Sequence, residues 1–330
     1  MVHMTYIRFL RDQWAQIPLI NGDLSARSIL LTGAGSGLGL EAAAHLAAMR
    51  SQWLFLTHRN LGGFQPAFAA LRNGPSQTMH LDLTSFASVR KIASEAGAAN
   101  IDTFVGNATL ATRNFAKTED GWETVLQVNY LSNALLFILL LPHLIKNSSP
   151  DSPARAIFLS SYGHHFVNTS KLPKGNSILN CLNDPAYCTP VVMRNRYDVS
   201  KIMVADELAS RLRHNTPISI MSVNPGFCHS RLTRETESTP FGKLVVGSFK
   251  RLVAHPTEEG SRTIVHAVAT PDPRRFHGQY ITGCQIAGKS DFLATLEGLH
   301  ETTQRETIEV LGKADPRVGD IIKAHLDCEQ

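Results

Sequence analysis

The sequence lacks the marks of a secreted, membrane-spanning or nucleic-acid-binding protein. Its five cysteines are an odd number without a Cys-x-x-Cys pair, which argues against a disulfide framework and a structural zinc site. The longest apolar run, 134–142, is too short to cross a bilayer, and charged residues occupy the N-terminus where a signal peptide needs an apolar segment. Lysine and arginine are scattered, so the net charge of +4 marks no stripe for nucleic acid. We therefore expect a cytoplasmic protein with reduced thiols, no metal and no stable membrane span.

What the chain does contain is a large apolar fraction arranged in an alternating pattern. Apolar residues make up 43% of the sequence and charged residues 18%, a balance typical of a well-buried core. Short apolar runs predict strands at 28–32, 53–57, 78–81, 101–105, 156–160, 218–223 and near 279–282. Helical periodicity lies between them, at 38–49, 85–96, 119–145 and 197–214. This alternation predicts a doubly wound α/β fold with about seven parallel strands and helices on both faces.

Two regions and both termini depart from this alternation. Residues 163–196 form an irregular insertion with one helical turn at most, and 230–256 are helical only around 241–254. Long loops in compact α/β domains are commonly functional lids, with an ornamental surface loop as the alternative. The core carrying motifs spans about 28–282, and periodicity at 292–311 predicts a helical extension over about 290–330. We take 1–330 as one domain.

A glycine-rich turn joins the first strand to the first helix of the core. It contains Gly33, Ser36, Gly37, Leu38 and Gly39, in the pattern Thr-Gly-x-x-x-Gly-x-Gly. Glycines allow the backbone to approach a pyrophosphate closely, and a helix N-terminus offers unpaired N–H groups and a positive dipole end. A simple tight turn is the alternative, but the strand before and the helix after favour a dinucleotide site.

The end of the second predicted strand indicates which dinucleotide binds. NAD sites of this kind use an acidic residue there to hold the ribose hydroxyls, and this strand ends in Thr57-His58-Arg59-Asn60 with no carboxylate. Arg59, helped by His58, can pair with a 2′-phosphate as a bidentate donor. The alternative is that Arg59 is only a surface arginine. The pattern predicts NADP(H) as cofactor.

Tyr197 and Lys201 form the predicted catalytic pair. Residues four apart lie on one helical face, so both side chains can address the same ligand. A free tyrosine has a pKa near ~10, and a neighbouring ammonium lowers it towards the range useful for acid/base catalysis. An exposed surface pair is the alternative.

These motifs, in this order, resemble the short-chain dehydrogenase/reductase family. The resemblance implies a Rossmann fold and an NAD(P)-dependent enzyme that moves hydride to or from carbon, with Tyr197 as acid/base. It implies that Ser161 hydrogen-bonds the substrate oxygen, that Asn129 holds a relay water, and that Lys201 also contacts the nicotinamide ribose. For Asn129 a structural amide at a local kink is the alternative, and for Ser161 a turn residue at the strand end.

The same resemblance assigns further cofactor contacts. Asp82 backs the adenine pocket or caps the following helix, and Asn107 lies where the family typically shows Asn-Asn-Ala-Gly. Pro225 and Gly226 form a turn over the nicotinamide, and Ser230 is placed to contact its carboxamide. His164, His165 and His229 lie near the expected pocket entrance, as structural residues or as substrate contacts.

The segment 223–232 further resembles fungal members related to retinol-dehydrogenase-like reductases. This implies a ketone or aldehyde reductase, or alcohol dehydrogenase, for a small apolar molecule of secondary metabolism. The alternatives are a dehydratase, epimerase or cyclisation enzyme on the same scaffold, or a cofactor-binding regulator without turnover. A homodimer or homotetramer is also implied, because many relatives pair through the helices that hold Asn129 and Tyr197.

Overall fold

The computed structural model is built around one eight-stranded sheet with the order β3-β2-β1-β4-β5-β6-β7-β8. The structure describes residues 2–60, 71, 74–167, 178–212, 216–229, 240–290 and 297–326. The strands are β1 Ser28–Leu31, β2 Trp53–His58, β3 Ser76–His80, β4 Thr103–Gly106, β5 Ala154–Leu159, β6 Ile218–Asn224, β7 Tyr280–Thr282 and β8 Gln285–Ala287. The helices of the first half are α1 Val2–Trp14, α2 Gly37–Ala48, α3 Phe86–Gly97, α4 Thr124–Leu126 and α5 Ser132–Lys146. Those of the second half are α6 Ile178–Leu182, α7 Pro190–Arg211, α8 Pro240–Val253, α9 Thr257–Ala269, α10 Glu297–Ala314 and α11 Arg317–His325.

The first seven strands are parallel, as predicted. Every residue of β1, β4, β5 and β6 is buried, which is the pattern of strands covered on both faces. An eighth strand, β8, was not predicted and pairs antiparallel with β7. Gly283 and Cys284 join the two strands with φ of 55° and 64°, the left-handed conformation of a two-residue hairpin turn.

The strand order reverses between β1 and β4. From β1 the chain adds β2 and β3 on one side of the sheet and then returns to place β4 on the other side. In such sheets the crevice outside the carboxyl ends of the two central strands is the usual ligand site. The turns after β1 and β4 meet there.

Helices cover both faces of the sheet. One core contains α2 and α9 with the strand side chains facing them, and the other contains α3, α5 and α7. The stretch Thr124–Lys146 is long and apolar enough to cross a membrane by composition, but 94% of its most apolar window is buried inside the fold. It is therefore a helical segment of the hydrophobic core rather than a lipid-facing one.

The structure corrects two predicted boundaries. The insertion at 163–196 is more helical than expected, with 3₁₀ turns at Tyr162–Phe166 and Pro185–Tyr187 and the short helix α6; residues 168–177 lie outside the described part. Helix α7 begins at Pro190, so Tyr197 lies two turns inside the helix rather than at its start. The N-terminal helix α1 was not predicted at all.

The C-terminal extension is helical, as predicted, and packs on α5 and α7. Leu311, Val318 and Ile322 are buried there. At the centre, the buried Tyr130 hydroxyl donates to the Glu207 carboxylate and lies 3.0 Å from Thr307 Oγ1 of α10. Burial raises the pKa of Glu207 to about 7. Helix α10 also contacts α6, where the Leu179 N–H donates to Glu306, and α3, where Arg90 donates to the Ala314 carbonyl.

This buried carboxyl predicts a pH-dependent stability. Because the folded-state pKa is raised, the protonated form is stabilising below the unfolded-state value near 4.5, and that stability is lost as pH rises through about 7. The shift corresponds to roughly 3 kcal/mol. Urea unfolding of the wild type and Glu207→Gln at pH 5 and pH 8 measures it. The unfolding free energy of the wild type minus that of Glu207→Gln should be roughly 3 kcal/mol lower at pH 8 than at pH 5, because only the wild type carries the titrating group. A difference independent of pH would contradict the buried placement.

Candidate active site

The glycine-rich turn after β1 opens the N-terminus of α2. Gly33 and Gly37 have φ of 69° and 55°, a conformation that side-chain-bearing residues rarely adopt. Ser36 is exposed, and its side chain forms no capping hydrogen bond with α2. The first N–H groups of the helix therefore remain available to an anion. The Leu38 side chain packs into the core beside α9, so any contact from this residue to a cofactor comes from its backbone.

Asn107 holds this turn against the end of β4. Its Nδ2 donates to the Thr32 carbonyl at 2.8 Å and to the Gly33 carbonyl at 3.3 Å. A Cβ on Gly39 would lie 2.3 Å from the Gly33 carbonyl oxygen and 2.6 Å from the Asn107 amide nitrogen. Only glycine fits at position 39, because the helix and the turn approach each other so closely.

The end of β2 presents His58 and Arg59 beside the same turn. The half-buried His58 ring hydrogen-bonds to the Asn60 backbone. It lies so close to Gly35 that a Cβ there would be 2.0 Å from the ring. Arg59 is exposed at this edge of the sheet. The turn is thus flanked by an imidazole and a guanidinium. The position of the His58 ring leaves no room for a side chain at Gly35, which the motif alone did not reveal.

Asp82 forms a turn rather than a helix cap. Its Oδ1 accepts hydrogen bonds from the Thr84 N–H at 2.9 Å and the Thr84 hydroxyl at 2.7 Å. The N-cap of α3 is Ser85, whose hydroxyl accepts from the Ser88 N–H. The predicted capping role of Asp82 is therefore wrong, because Ser85 is the N-cap and α3 begins at Phe86. The adenine role of Asp82 stays a prediction.

Tyr197 and Lys201 lie one turn apart on α7. Tyr197 is half-buried and Lys201 is only 2% exposed. Burial lowers the pKa of Lys201 to about 7. Among the residues that the structure describes, none pairs with this ammonium. A buried cation without a partner is costly, so this group is suited to a polar ligand.

Ser161 follows β5 and points to α7. Its hydroxyl donates to Asp198 Oδ1 at 3.2 Å and accepts from the Gly163 N–H at 3.0 Å. Asp198, the residue after Tyr197, is 3% exposed, and a Cβ on Gly163 would lie 1.9 Å from its carboxylate. Sequence reasoning missed Asp198, which links the serine to the helix that carries the predicted pair.

Asn129 lies in a π-helical turn, Gln127–Leu131, between α4 and α5. Its Oδ1 accepts from the Leu110 N–H at 2.9 Å and from the Thr109 hydroxyl at 3.0 Å, and its Nδ2 donates to the Leu110 carbonyl at 2.8 Å. The buried amide therefore braces the chain after β4. This is the structural role given as the alternative, and π-turns of this kind are frequent at functional sites.

The turn after β6 is held by the N-terminal helix. Gly226 has a φ of 77°, and the next residue, Phe227, exchanges two hydrogen bonds with Gln13. The Gln13 Nε2 donates to the Phe227 carbonyl at 2.6 Å, and its Oε1 accepts from the Phe227 N–H at 3.0 Å. Pro225 is buried beside them, and Ser230 lies outside the described residues.

Aromatic side chains of α1 cover the start of the insertion. Tyr6 stacks on Phe166 with ring centroids 4.7 Å apart, and Phe9 lies 5.3 Å from Tyr162. His164 is fully buried, its Nδ1 lies 2.5 Å from the Ser161 carbonyl oxygen, and burial lowers its pKa to about 3. This histidine is a structural residue that orients the turn after Ser161.

Similar proteins show what family this arrangement belongs to. The family model described as short chain dehydrogenase matches residues 27–167. The chain is 30% identical over 324 residues to the short chain dehydrogenase/reductase dmxR8 of Cryptosporiopsis sp. (strain 8999), with 93% of this chain and 96% of that protein covered. It is 31% identical over 313 residues to the short chain dehydrogenase atnD of Emericella nidulans, with 90% and 94% covered. The chain belongs to the short-chain dehydrogenase/reductase family.

Solved structures agree with this assignment. The NADP complex of Pseudomonas aeruginosa RhlG has a TM-score of 0.57 and 25% identity, with 78% of this chain and 95% of that chain covered. An uncharacterised protein from Mycobacterium paratuberculosis has a TM-score of 0.66 and 21% identity, with 89% and 98% covered. The predicted Rossmann fold and the predicted kinship with fungal members are confirmed. The chain is an oxidoreductase of a family with an NAD(P)-dependent fold.

Within this short-chain dehydrogenase/reductase, the residues present fit a dinucleotide. The uncapped N-terminus of α2 suits its pyrophosphate, and the unpaired Lys201 ammonium suits a ribose hydroxyl. Gln13, Asp198 and Gly35 are the residues that the motifs did not reveal.

Gln13→Ala is expected to loosen the turn after β6. The change leaves the Phe227 N–H and carbonyl without their partners, so we expect the Phe227 amide hydrogen to exchange at least about tenfold faster. Hydrogen-exchange mass spectrometry measures this rate. Gln16→Ala is the matched control, because Gln16 is exposed on the same segment. Equal exchange in both variants would contradict the bracing role of Gln13.

Proposed function

We propose that this protein uses NADP(H) to reduce a ketone or aldehyde of a small apolar molecule, or to oxidise the corresponding alcohol. The observation that carries the proposal is the arrangement of Tyr197, Lys201 and Ser161 at the carboxyl edge of the sheet. The helix α7 carries the first two, and the third follows the end of β5 by two residues. Bound NADPH would supply the hydride that adds to the carbonyl carbon.

Tyr197 acts as the acid in the reductive direction. Its phenol donates a proton to the carbonyl oxygen as the carbon gains hydride, so the oxygen becomes a hydroxyl and the tyrosine becomes a phenolate. The ammonium of Lys201, one helical turn away, stabilises that phenolate. In the oxidative direction the phenolate takes the proton back.

Ser161 positions the substrate oxygen, and Asp198 positions Ser161. The serine hydroxyl already accepts from the Gly163 N–H and donates to Asp198. A substrate alcohol can therefore donate to the remaining lone pair of Ser161, and a substrate carbonyl can accept its proton if that proton turns away from Asp198. The buried carboxylate thus sets the direction in which the serine proton points.

Several contacts support the remaining cofactor assignments. Gly33, Ser36, Gly37 and Gly39 bring the backbone to the pyrophosphate, and Asn107 holds that turn in place. Arg59 is exposed beside His58 with no acidic residue at the strand end, which favours a 2′-phosphate. Asp82 remains proposed at the adenine, Asn129 at a relay water, and Pro225, Gly226 and Ser230 at the nicotinamide.

An apolar substrate fits the surroundings of Ser161. The rings of Tyr162 and Phe166 follow this serine, and Phe9 and Tyr6 of α1 pack on them. We therefore propose a compound with a large apolar surface rather than a sugar or an amino acid as substrate, because the chain beside Ser161 is rich in aromatic side chains. Kinship with fungal members supports a substrate of secondary metabolism.

Location, domain count and assembly stay predictions. One domain over 1–330 is supported by α1 and α11, which both pack on the rest of the fold; the cytoplasmic location rests on the composition of the sequence. Helices α10 and α11 cover the outer faces of α5 and α7 near Tyr130 and Glu207 within one chain. A homodimer or homotetramer would therefore need another surface.

Tyr197→Phe should lower kcat for carbonyl reduction by roughly 10²- to 10⁴-fold, because the proton donor is removed. NADPH affinity should stay within about twofold. Steady-state assays with a panel of apolar ketones and aldehydes measure kcat, and a fluorescence titration measures the affinity for NADPH. Tyr187→Phe, at an exposed tyrosine, is the matched control. Full turnover in Tyr197→Phe would refute the mechanism. NADPH binding without turnover of any carbonyl compound by the wild type would favour a non-redox enzyme or a regulator.

Arg59→Ala should weaken NADPH binding by roughly ten- to a hundredfold, the value of charge-assisted hydrogen bonds to a phosphate. NADH lacks the 2′-phosphate, so its affinity should be unchanged and serves as the internal control. Equal weakening of both dinucleotides, or wild-type preference for NADH, would overturn the NADP(H) assignment while leaving the reductase proposal intact.

A further inference from the structure

Two helices present large apolar side chains to solvent on one surface. On α1, Ile7 is 52% exposed and Trp14 67%. On α8, Leu244 is 68% exposed and Leu252 74%. We call this surface the α1–α8 face. Single exposed hydrophobic residues are ordinary, but a contiguous group of them marks an interaction site.

The four side chains belong together geometrically. Ile7 and Trp14 are seven residues apart, so they lie on the same side of α1. Leu244 and Leu252 are eight residues apart on α8, so their directions around the helix differ by about 80°. The Trp14 indole N–H lies 3.4 Å from the Leu252 carbonyl oxygen, which joins the end of α1 to the end of α8.

This face is separate from the one that α1 uses for folding. Gln13 is buried and bonded to Phe227, and Phe9 packs on Tyr162. At 3.6 residues per turn, the mean direction of Phe9 and Gln13 is roughly 130° from that of Ile7 and Trp14. Apart from the Trp14 N–H, which bonds to the Leu252 carbonyl, the contacts that hold α1 come from the inward side.

Cations are interspersed among the apolar side chains. Arg11 lies between Ile7 and Trp14 along the exposed stripe and is itself exposed, and Arg251 is exposed beside Leu252. Asp12 is the acidic residue of α1, and both Arg8 and Arg11 pair with it, at 3.6 Å and 2.8 Å. No acidic residue occurs in α8, so the face carries net positive charge.

This chemistry matches an anionic lipid surface. Apolar side chains enter the boundary between headgroups and acyl chains. The Trp14 ring can enter there as well, because its N–H is already bonded to the Leu252 carbonyl. Arginines extend to the headgroups and gain from negative lipid charge. A second copy of the chain fits less well, because a two-fold contact would bring the same arginines against each other.

We propose that the α1–α8 face docks peripherally on an anionic lipid surface. Docking there would place the substrate side of the protein next to the membrane, because the inner side of α1 holds the turn after β6 through Gln13. Phe249 of α8 also packs on Phe227, with ring centroids 5.5 Å apart. An apolar substrate would then pass from the lipid to the site; this consequence rests on the proposed function, whereas docking itself does not.

Vesicle flotation tests the docking with the full chain and no substrate. We expect the wild type to float with phosphatidylcholine/phosphatidylserine vesicles and much less with phosphatidylcholine alone, and to be released at about 0.5 M salt. The double variant Trp14→Ser/Leu252→Ser should lower the partition coefficient at least about tenfold. Trp53→Ser is the matched control, because Trp53 is 43% exposed at the amino end of β2, on the opposite edge of the sheet from the turn after β6.

Tryptophan fluorescence gives a second readout. Vesicles with brominated acyl chains should quench the wild type, and the quenching should be lost in Trp14→Phe but kept in Trp53→Phe. Unchanged circular dichroism spectra and thermal unfolding midpoints show that the variants are folded. The proposal is overturned if the wild type ignores anionic vesicles, or if the double variant floats equally well. It is also overturned if light scattering shows a dimer that the double variant loses without any vesicle binding. None of these outcomes bears on the cofactor or on turnover.

Discussion

The close approach of the turn after β1 to the end of β4 is the contact on which the rest of the site depends. The Thr32 N–H and hydroxyl both donate to the Val105 carbonyl, and the same hydroxyl accepts from the Ala108 N–H. The Asn107 amide then satisfies the carbonyls of Thr32 and Gly33. These bonds pair the buried backbone groups of the turn inside the fold. The start of α2 is thereby fixed at the switch point of the sheet, and a side chain at Gly39 would disrupt it.

The parts of this architecture that sequence predicts are those with a local signal. The central strands β1, β4, β5 and β6 appear as apolar runs because both faces of the sheet are covered there. The glycine positions and the Tyr197–Lys201 spacing have fixed offsets along the chain. The hairpin strand β8 has no such signal, since its residues are half-exposed and its turn is Gly283-Cys284 rather than a common turn pair. The helix α1 was missed because its inward contacts are with residues distant in the sequence, Tyr162 for Phe9 and Phe227 for Gln13.

The site residues divide in the same way. Asn129 was found by its position, but periodicity cannot reveal a π-turn, which adds one residue and shifts the helical phase by about 100°. Its side-chain bonds to Leu110 are a consequence of that shift. Asp198 stands next to Tyr197 in the sequence, yet a carboxylate between two motif residues ordinarily faces solvent. Only the three-dimensional contact with Ser161 and Gly163 shows that it belongs to the site.

The helix α1 shows how one element can serve two purposes with separate faces. Polar contacts fix it: Gln13 brackets Phe227, the Ile17 N–H donates to Glu259, and Arg262 donates to the Ile17 carbonyl. These bonds hold the segment in place, and the Trp14 indole N–H adds one bond to the Leu252 carbonyl. A polar residue at position 7 would be as compatible with the fold, and it would avoid exposing apolar area to water. The fold therefore uses the N–H of Trp14 but not the exposed apolar area of Ile7 and of the indole ring, and that area is what the proposed lipid surface would contact.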